Sequence, residues 1–326
     1  MKSIKYIMTL ATTALLISAC SQNEESAPET NSFPADNMIR VITNVNQPQT
    51  RAGMTTDDLN NFQLRVVNEN NENYSFFAMM KKESNAWVSY TYDGASLLTM
   101  LWQNKTQKVK VTAVGYEGVQ ISPAMWNTTI PVSVLEDQSN ESNLKRSDIL
   151  YMAPKVVDPS TTDLVNGKLS VNLNHRFSKL NLTVKLGTEF NKVPGTATTP
   201  ITSVKVRGTK GTVATWNLNT NSLSDYTNNI NVVPFAATYT AGSGDTQQAE
   251  AKYECILIPQ TMGTGFFTVE FVINGKTYTW FNASDITLNG DTKYDLTLTV
   301  GKEVVTAGGF TATPWTDGGS QDIETE

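Results

Sequence analysis

Four residues carry the reactive groups on which chemistry in this chain would turn: Cys20, Arg51, His175 and Cys255. Cys20 closes Ile17-Ser18-Ala19-Cys20, which has the shape of a bacterial lipobox. Before it stand Lys2, Lys5 and an apolar run from Tyr6 to Ile17, of signal-peptide length and too short to span a bilayer comfortably. In such a setting residues 1–19 are removed, and the Cys20 sulfur takes a diacylglyceryl group and becomes the mature N-terminus. Several palmitate-type chains then anchor the protein firmly, each buried methylene adding about 0.8 kcal/mol. The alternative is an ordinary secretory peptide with an incidental cysteine. Arg51 stands alone among small and polar residues in VNQPQTRAGMT, a flexible and exposed setting.

His175 is the only histidine, and at a strand crossing it reads as a packing or hydrogen-bonding residue. Cys255 lies in the apolar alternation Tyr253, Cys255, Leu257 and reads as a buried thiol. With Cys20 acylated, no second thiol remains for a disulfide. The chain contains no HExxH, no GxxxxGK[ST] and no paired cysteines for zinc. No catalytic residue, metal site or cofactor is therefore expected. A glycosidase pair cannot be picked out among 31 acidic residues. Exposed aromatics could stack on sugars, although most aromatics of a sandwich pack its core. A net charge of −6 argues against nucleic acid as a partner.

These groups must be positioned by strands. Apolar residues alternate at Phe62/Leu64/Val66, Val109/Val111/Ala113, Leu169/Val171/Leu173, Leu180/Leu182/Val184/Leu186 and Tyr294/Leu296/Leu298/Val300. A period of two buries one face and wets the other, as in antiparallel sheets packed on one another. Asn166-Gly167, Asn274-Gly275 and Asn289-Gly290 predict tight hairpins, because Asn-Gly supplies the positive φ they need. Leu97, Leu98, Leu101 and Trp102 have helical spacing and predict a short helix over Ser96 to Trp102. Inward positions are odd through Leu173 and even from Leu180, so the chain must bend at His175-Arg176-Phe177-Ser178. This divides the chain into a signal peptide (1–19), a tether (20–37), an N-terminal sandwich (38–176) and a C-terminal sandwich (177–326).

Several segments, taken in order, resemble the fimbrillin family, the Mfa-like and FimA-like subunits of type V pili from Bacteroides and its relatives. They are the lipobox at Cys20, a strand followed by Thr50-Arg51-Ala52-Gly53, and Ser147-Asp148-Ile149-Leu150-Tyr151-Met152-Ala153. Then come Val171 to Leu180 (VNLNHRFSKL), Ile256-Leu257-Ile258-Pro259-Gln260, Tyr294 to Gly301 (YDLTLTVG) and Thr313-Pro314-Trp315-Thr316-Asp317-Gly318. The resemblance implies two tandem transthyretin-like sandwiches and export as a lipoprotein precursor to the outer membrane and surface of a Gram-negative bacterium. It also implies assembly after an arginine-specific protease cuts between Arg51 and Ala52.

The residues supply a mechanism for that implication. Ile39, Val41, Thr43 and Val45 share the more apolar face of the first strand, within a removable segment 38–51. Losing Ile39, Val41 and Val45 from a core costs roughly 5–9 kcal/mol at about 1.5–3 kcal/mol each, comparable to the stability of a domain, about 5–15 kcal/mol. A cut subunit would expose a sheet edge and a groove that favour any strand able to refill them. Residues 302–326 offer a donor, with Phe310 and Ala312 as anchors, or Trp315 if the register shifts by one. Extended, those 25 residues (326 − 301) reach roughly 80 Å. The alternatives stay open: a C-terminal strand that completes its own domain, and an arginine in an ordinary loop. Partners are then other pilus subunits, identical or paralogous, joined by strand exchange. The competing function is a monomeric outer-membrane lipoprotein that binds glycans or host ligands, or a tip adhesin combining both roles.

Overall fold

The computed structural model describes residues 33–46, 53–84, 86–192, 198–229, 231–302 and 304–315. Its N-terminal strands are β1 (Val41–Val45), β2 (Asn61–Val67), β3 (Phe76–Glu83), β4 (Ala86–Thr91) and β5 (Val109–Gly115). They continue with β6 (Thr129–Ser133), β7 (Leu150–Val157), β8 (Leu164–Val165) and β9 (Lys168–His175), and one short helix, α1 (Glu141–Arg146), precedes β7. All but β6 join one sheet in the order β1-β9-β7-β5-β2-β3-β4, with β8 on β9.

The second half holds β10 (Ser178–Leu186), β11 (Ile201–Arg207), β12 (Val213–Asn217), β13 (Ser222–Thr227), β14 (Phe235–Thr240) and β15 (Ala249–Leu257). Then follow β16 (Gln260–Met262), β17 (Thr268–Ile273), β18 (Lys276–Phe281), β19 (Ile286–Leu288), β20 (Thr292–Val300) and β21 (Val305–Pro314). A five-stranded sheet, β14-β15-β10-β20-β21, shares its core with the three-stranded β11-β17-β18. The chain is all-β, as the alternation of its residues requires.

Period two is visible in burial. Leu169, Val171 and Leu173 point inward from β9, whereas Leu180, Leu182, Val184 and Leu186 do so from β10, so the face changes between His175 and Ser178. Most pairings are antiparallel, but β1–β9 and β10–β20 run parallel. The strands β6, β12 and β13 form a separate sheet in which Ile130 lies opposite Trp216, so backbone pairing crosses from the first half to the second. A third apolar cluster there includes Trp126, Ile149, Phe177, Trp216, Ile256 and Trp315. Buried Gln138 reinforces it, donating to the Ile256 carbonyl at 2.9 Å and accepting from the Ile256 amide at 2.8 Å. The described residues all fall within one compact unit, Asn31–Glu326.

Two local expectations are corrected. Residues 96–102 are not helical: Leu97 bridges Tyr90, and Leu101 bridges Met38. Met100 and Trp102 are buried and Leu98 packs on the core, while Leu97 and Leu101 face solvent. A short apolar run fits either period, and backbone pairing on both sides of this segment selected the extended one. Asn166-Gly167 and Asn274-Gly275 do form hairpin turns, with φ of 49° and 75°, and of 47° and 78°. Asn289-Gly290 does not, since β19 pairs with β16 and β20 with β10 and β21. Glycine serves close approach there instead, because a Cβ on Gly290 would stand 2.5 Å from the Arg176 carbonyl oxygen.

Candidate functional site

The first strand closes the N-terminal sheet from both sides. Along Val41–Val45 it runs parallel to β9, with Val41 opposite Leu169 and Val45 opposite Leu173. Just before, the chain pairs with the segment that borders β4: Ile39 N–H donates to the Met100 carbonyl (2.9 Å), and Trp102 N–H donates to that of Asn37 (2.8 Å). Residues 37–45 thus join the free edge of β9 to the far side of β4. Ile39, Val41 and Val45 enter the N-terminal core, and Ile42 is buried on the opposite face. Without this segment, both edges would present unpaired backbone and an apolar groove.

The last strand is held differently. β21 pairs antiparallel with β20, with Phe310 opposite Leu296 and Ala312 opposite Tyr294, and forms the edge of its sheet. Phe310 stacks on Tyr294 (ring centroids 5.4 Å apart) and is half-buried, as is Val305; the other β21 side chains are exposed. Trp315, one residue past the strand, is fully buried.

Trp315 lies against a buried cluster. Its indole stacks on His175 at 4.1 Å with planes 9° apart, and the Trp315 backbone N–H donates to the Asp291 carbonyl at 3.0 Å. The Nδ1 of His175 lies 2.7 Å from Asp148 Oδ2, and both side chains have no exposure. The same oxygen accepts from the Met54 amide at 2.8 Å. Gly53 completes the contact: at φ of +111°, a Cβ there would come within 3.1 Å of Trp315, 3.2 Å of Asp148 and 3.3 Å of His175. Only glycine combines that backbone with that closeness. Burial pushes the Asp291 carboxyl up, with His175 opposing and Asp148 adding to the shift. Nearby, Lys179 is buried beside Glu254 at 3.3 Å, and burial pulls its pKa down against the attraction of that carboxylate.

Cys20, Arg51 and Ala52 lie outside the described residues. Ile39, Val41 and Val45 lie together in the N-terminal core. Phe310, Ala312 and Trp315 do not lie together: the first two belong to β21, whereas Trp315 turns into the His175 cluster. His175 is a packing and hydrogen-bonding residue, and Cys255 is buried. Sequence reasoning gave no role to Gly53, Asp148 or Asp291. Gly53 and Asp148 did stand inside two of the motif segments, and that was the available signal. Five segments separated in sequence, around residues 53, 148, 175, 291 and 315, meet at this one point.

Fold and site define an all-β protein whose distinctive geometry lies at the two ends of its folded body. The model of a family described as fimbrillin-like matches residues 27–315, and the chain belongs to that family. Solved structures with similar folds include a protein assigned to cell adhesion from Bacteroides uniformis, 16% identical, covering 87% of this chain and 100% of that one, with a TM-score of 0.55. Another, from Bacteroides ovatus, is 14% identical with a TM-score of 0.58, covering 88% and 100%. A fimbrial protein from Bacteroides vulgatus is 12% identical with a TM-score of 0.51, covering 86% and 100%. At such identities the likeness is one of fold. No curated protein matches the chain.

Proposed function

We propose that this protein is a structural subunit of a cell-surface pilus, exported as a lipoprotein acylated at Cys20 and anchored in the outer membrane until it is cut. In this reading an arginine-specific protease cleaves between Arg51 and Ala52, the segment containing β1 leaves, and the C-terminal strand of another subunit fills its place. The two halves are read as two sandwich domains, 38–176 and 177–326. The observation that carries the proposal is that residues 37–45 pair on both sides and bury Ile39, Val41, Ile42 and Val45. A segment bound in this way leaves a strand-shaped acceptor when it is removed. The edge position and exposure of β21 support its role as donor, since few of its own side chains would have to be uncovered.

Trypsin treatment of the purified precursor, followed by sizing in mild detergent, tests the proposal. The wild type is expected to form ladders, and Arg51→Ala to remain monomeric. A chain lacking residues 310–326 should be cut normally yet form no ladder. If all three assemble alike, strand exchange is not the mechanism. The pairing of β21 with its own β20 over the whole strand favours a second reading, in which the strand stays in place and the protein is a monomeric surface lipoprotein that binds ligands.

A further inference from the structure

We propose that Trp315 is a latch on the last strand, and that the Asp148–His175 pair holding it is itself held shut by the chain that follows the maturation site. The inference rests on the cleavage reading above and adds to it that events at one end of the body control release of the other.

Trp315 is the one fully buried side chain after Val300 among the described residues, so it fastens a strand that otherwise exposes most of its length. Its ring stacks on His175, and Gly53 closes on the edge that the two rings share. His175 is oriented by Asp148 Oδ2, and that oxygen is shared with the Met54 amide. Two residues further on, Thr56 Oγ1 accepts from the Val45 amide at 3.0 Å, in a buried contact that ties this segment to β1. An unbroken series of contacts therefore runs from β1 through Thr56, Met54, Asp148 and His175 to Trp315 and β21. When β1 departs, residues 53–56 lose their tie to Val45 and become the start of a chain. Chain starts fray unless held. Loosening there withdraws one donor from Asp148 and one wall from the indole. The last strand is then freed in the subunit that has just become able to accept one, and an uncut precursor keeps both ends closed.

The two events are coupled only if both bias one element with two arrangements, here β21 docked or released. Hydrogen exchange read by mass spectrometry over residues 305–315 of the full chain measures that element directly. Five samples decide the question: the intact wild type, Trp315→Ala cut by trypsin and stripped of the peptide that carries β1, the wild type cut and stripped likewise with both steps verified by mass, intact Trp315→Ala, and intact Gly53→Ala, whose methyl group would press on the indole. Each of the last three should exchange about tenfold faster over 305–314 than the intact wild type, within the usual range of coupling between two sites. Exchange in β10 and β15 should be unchanged. Cutting and stripping Trp315→Ala should add nothing further, because the latch is already open. The proposal is overturned if the verified cut and stripping leave 305–314 as protected as before, if Trp315→Ala does not accelerate exchange, or if the two accelerations multiply. If mass shows no cut at Arg51, the maturation reading fails by itself. Trp315→Ala and Gly53→Ala then decide the latch in the intact chain, where unchanged exchange sinks it.

Discussion

The burial of the first strand predicts how much stability leaves with it. Ile39, Val41, Ile42 and Val45 each keep 6% exposure or less. At about 1.5–3 kcal/mol per side chain their burial contributes about 6–12 kcal/mol. Such area-based figures are upper values because unfolded chains are themselves partly collapsed. Even half of that is a large share of the 5–15 kcal/mol typical of a domain, taken as an order of magnitude. Cleavage after Arg51 does not by itself remove the strand; it converts a covalent segment into a ligand. The cut protein, stripped of the peptide in mild denaturant and returned to buffer, should unfold at a markedly lower urea midpoint than the intact chain. A synthetic peptide spanning residues 38–46 should restore the midpoint in a concentration-dependent way, by about 2.7 kcal/mol at a hundred times its Kd. A peptide of the same composition, redesigned to put Arg40, Ile42 and Asn44 on the inner face, should restore little, because a one-residue slip inverts every side chain. If the stripped protein unfolds at the same midpoint as the intact chain, or if the added peptide has no effect, β1 is not a separable strand and the acceptor groove does not exist.

Three further outcomes are expected. Cys20→Ala should abolish incorporation of labelled palmitate and delivery to the outer-membrane fraction; a wild type that takes up no label and ignores globomycin is not a lipoprotein. Burial pushes the Cys255 thiol well up, so it should resist a thiol reagent at mildly alkaline pH in the native state and react only on unfolding. Fast native reaction would show that the strand opens readily. Burial also raises the Asp291 carboxyl above the ordinary 3.8, so its contribution is most favourable below that pH and is lost as pH rises through the folded-state value. Asp291→Asn, which imitates the protonated form, should therefore melt higher than wild type at neutral pH. The gap should close as pH falls below 3.8, and a gap independent of pH would refute the assignment.

What this sequence settled alone is what depends on near neighbours. Leu180, Leu182, Val184 and Leu186 announce a strand because a period of two can be read without a partner, and the inversion of parity after Leu173 marks the bend at His175. Asn166-Gly167 and Asn274-Gly275 announce turns because positive φ is a local property. The inward face of the first strand was legible for the same reason. Tertiary structure alone decided what depends on contacts across the chain. Residues 96–102 carry a pattern that suits a helix, and they are extended because Asn37 to Ile39 and β4 both demand their backbone. Asn289-Gly290 has the letters of a hairpin, yet the strands on either side pair elsewhere. That β1 runs parallel to β9, that β6 pairs with β12, and that Gly53, Asp148, His175 and Trp315 meet, are matters of position in space. Hydrogen bonds and ring contacts between residues dozens of positions apart leave no period in the sequence by which to find them.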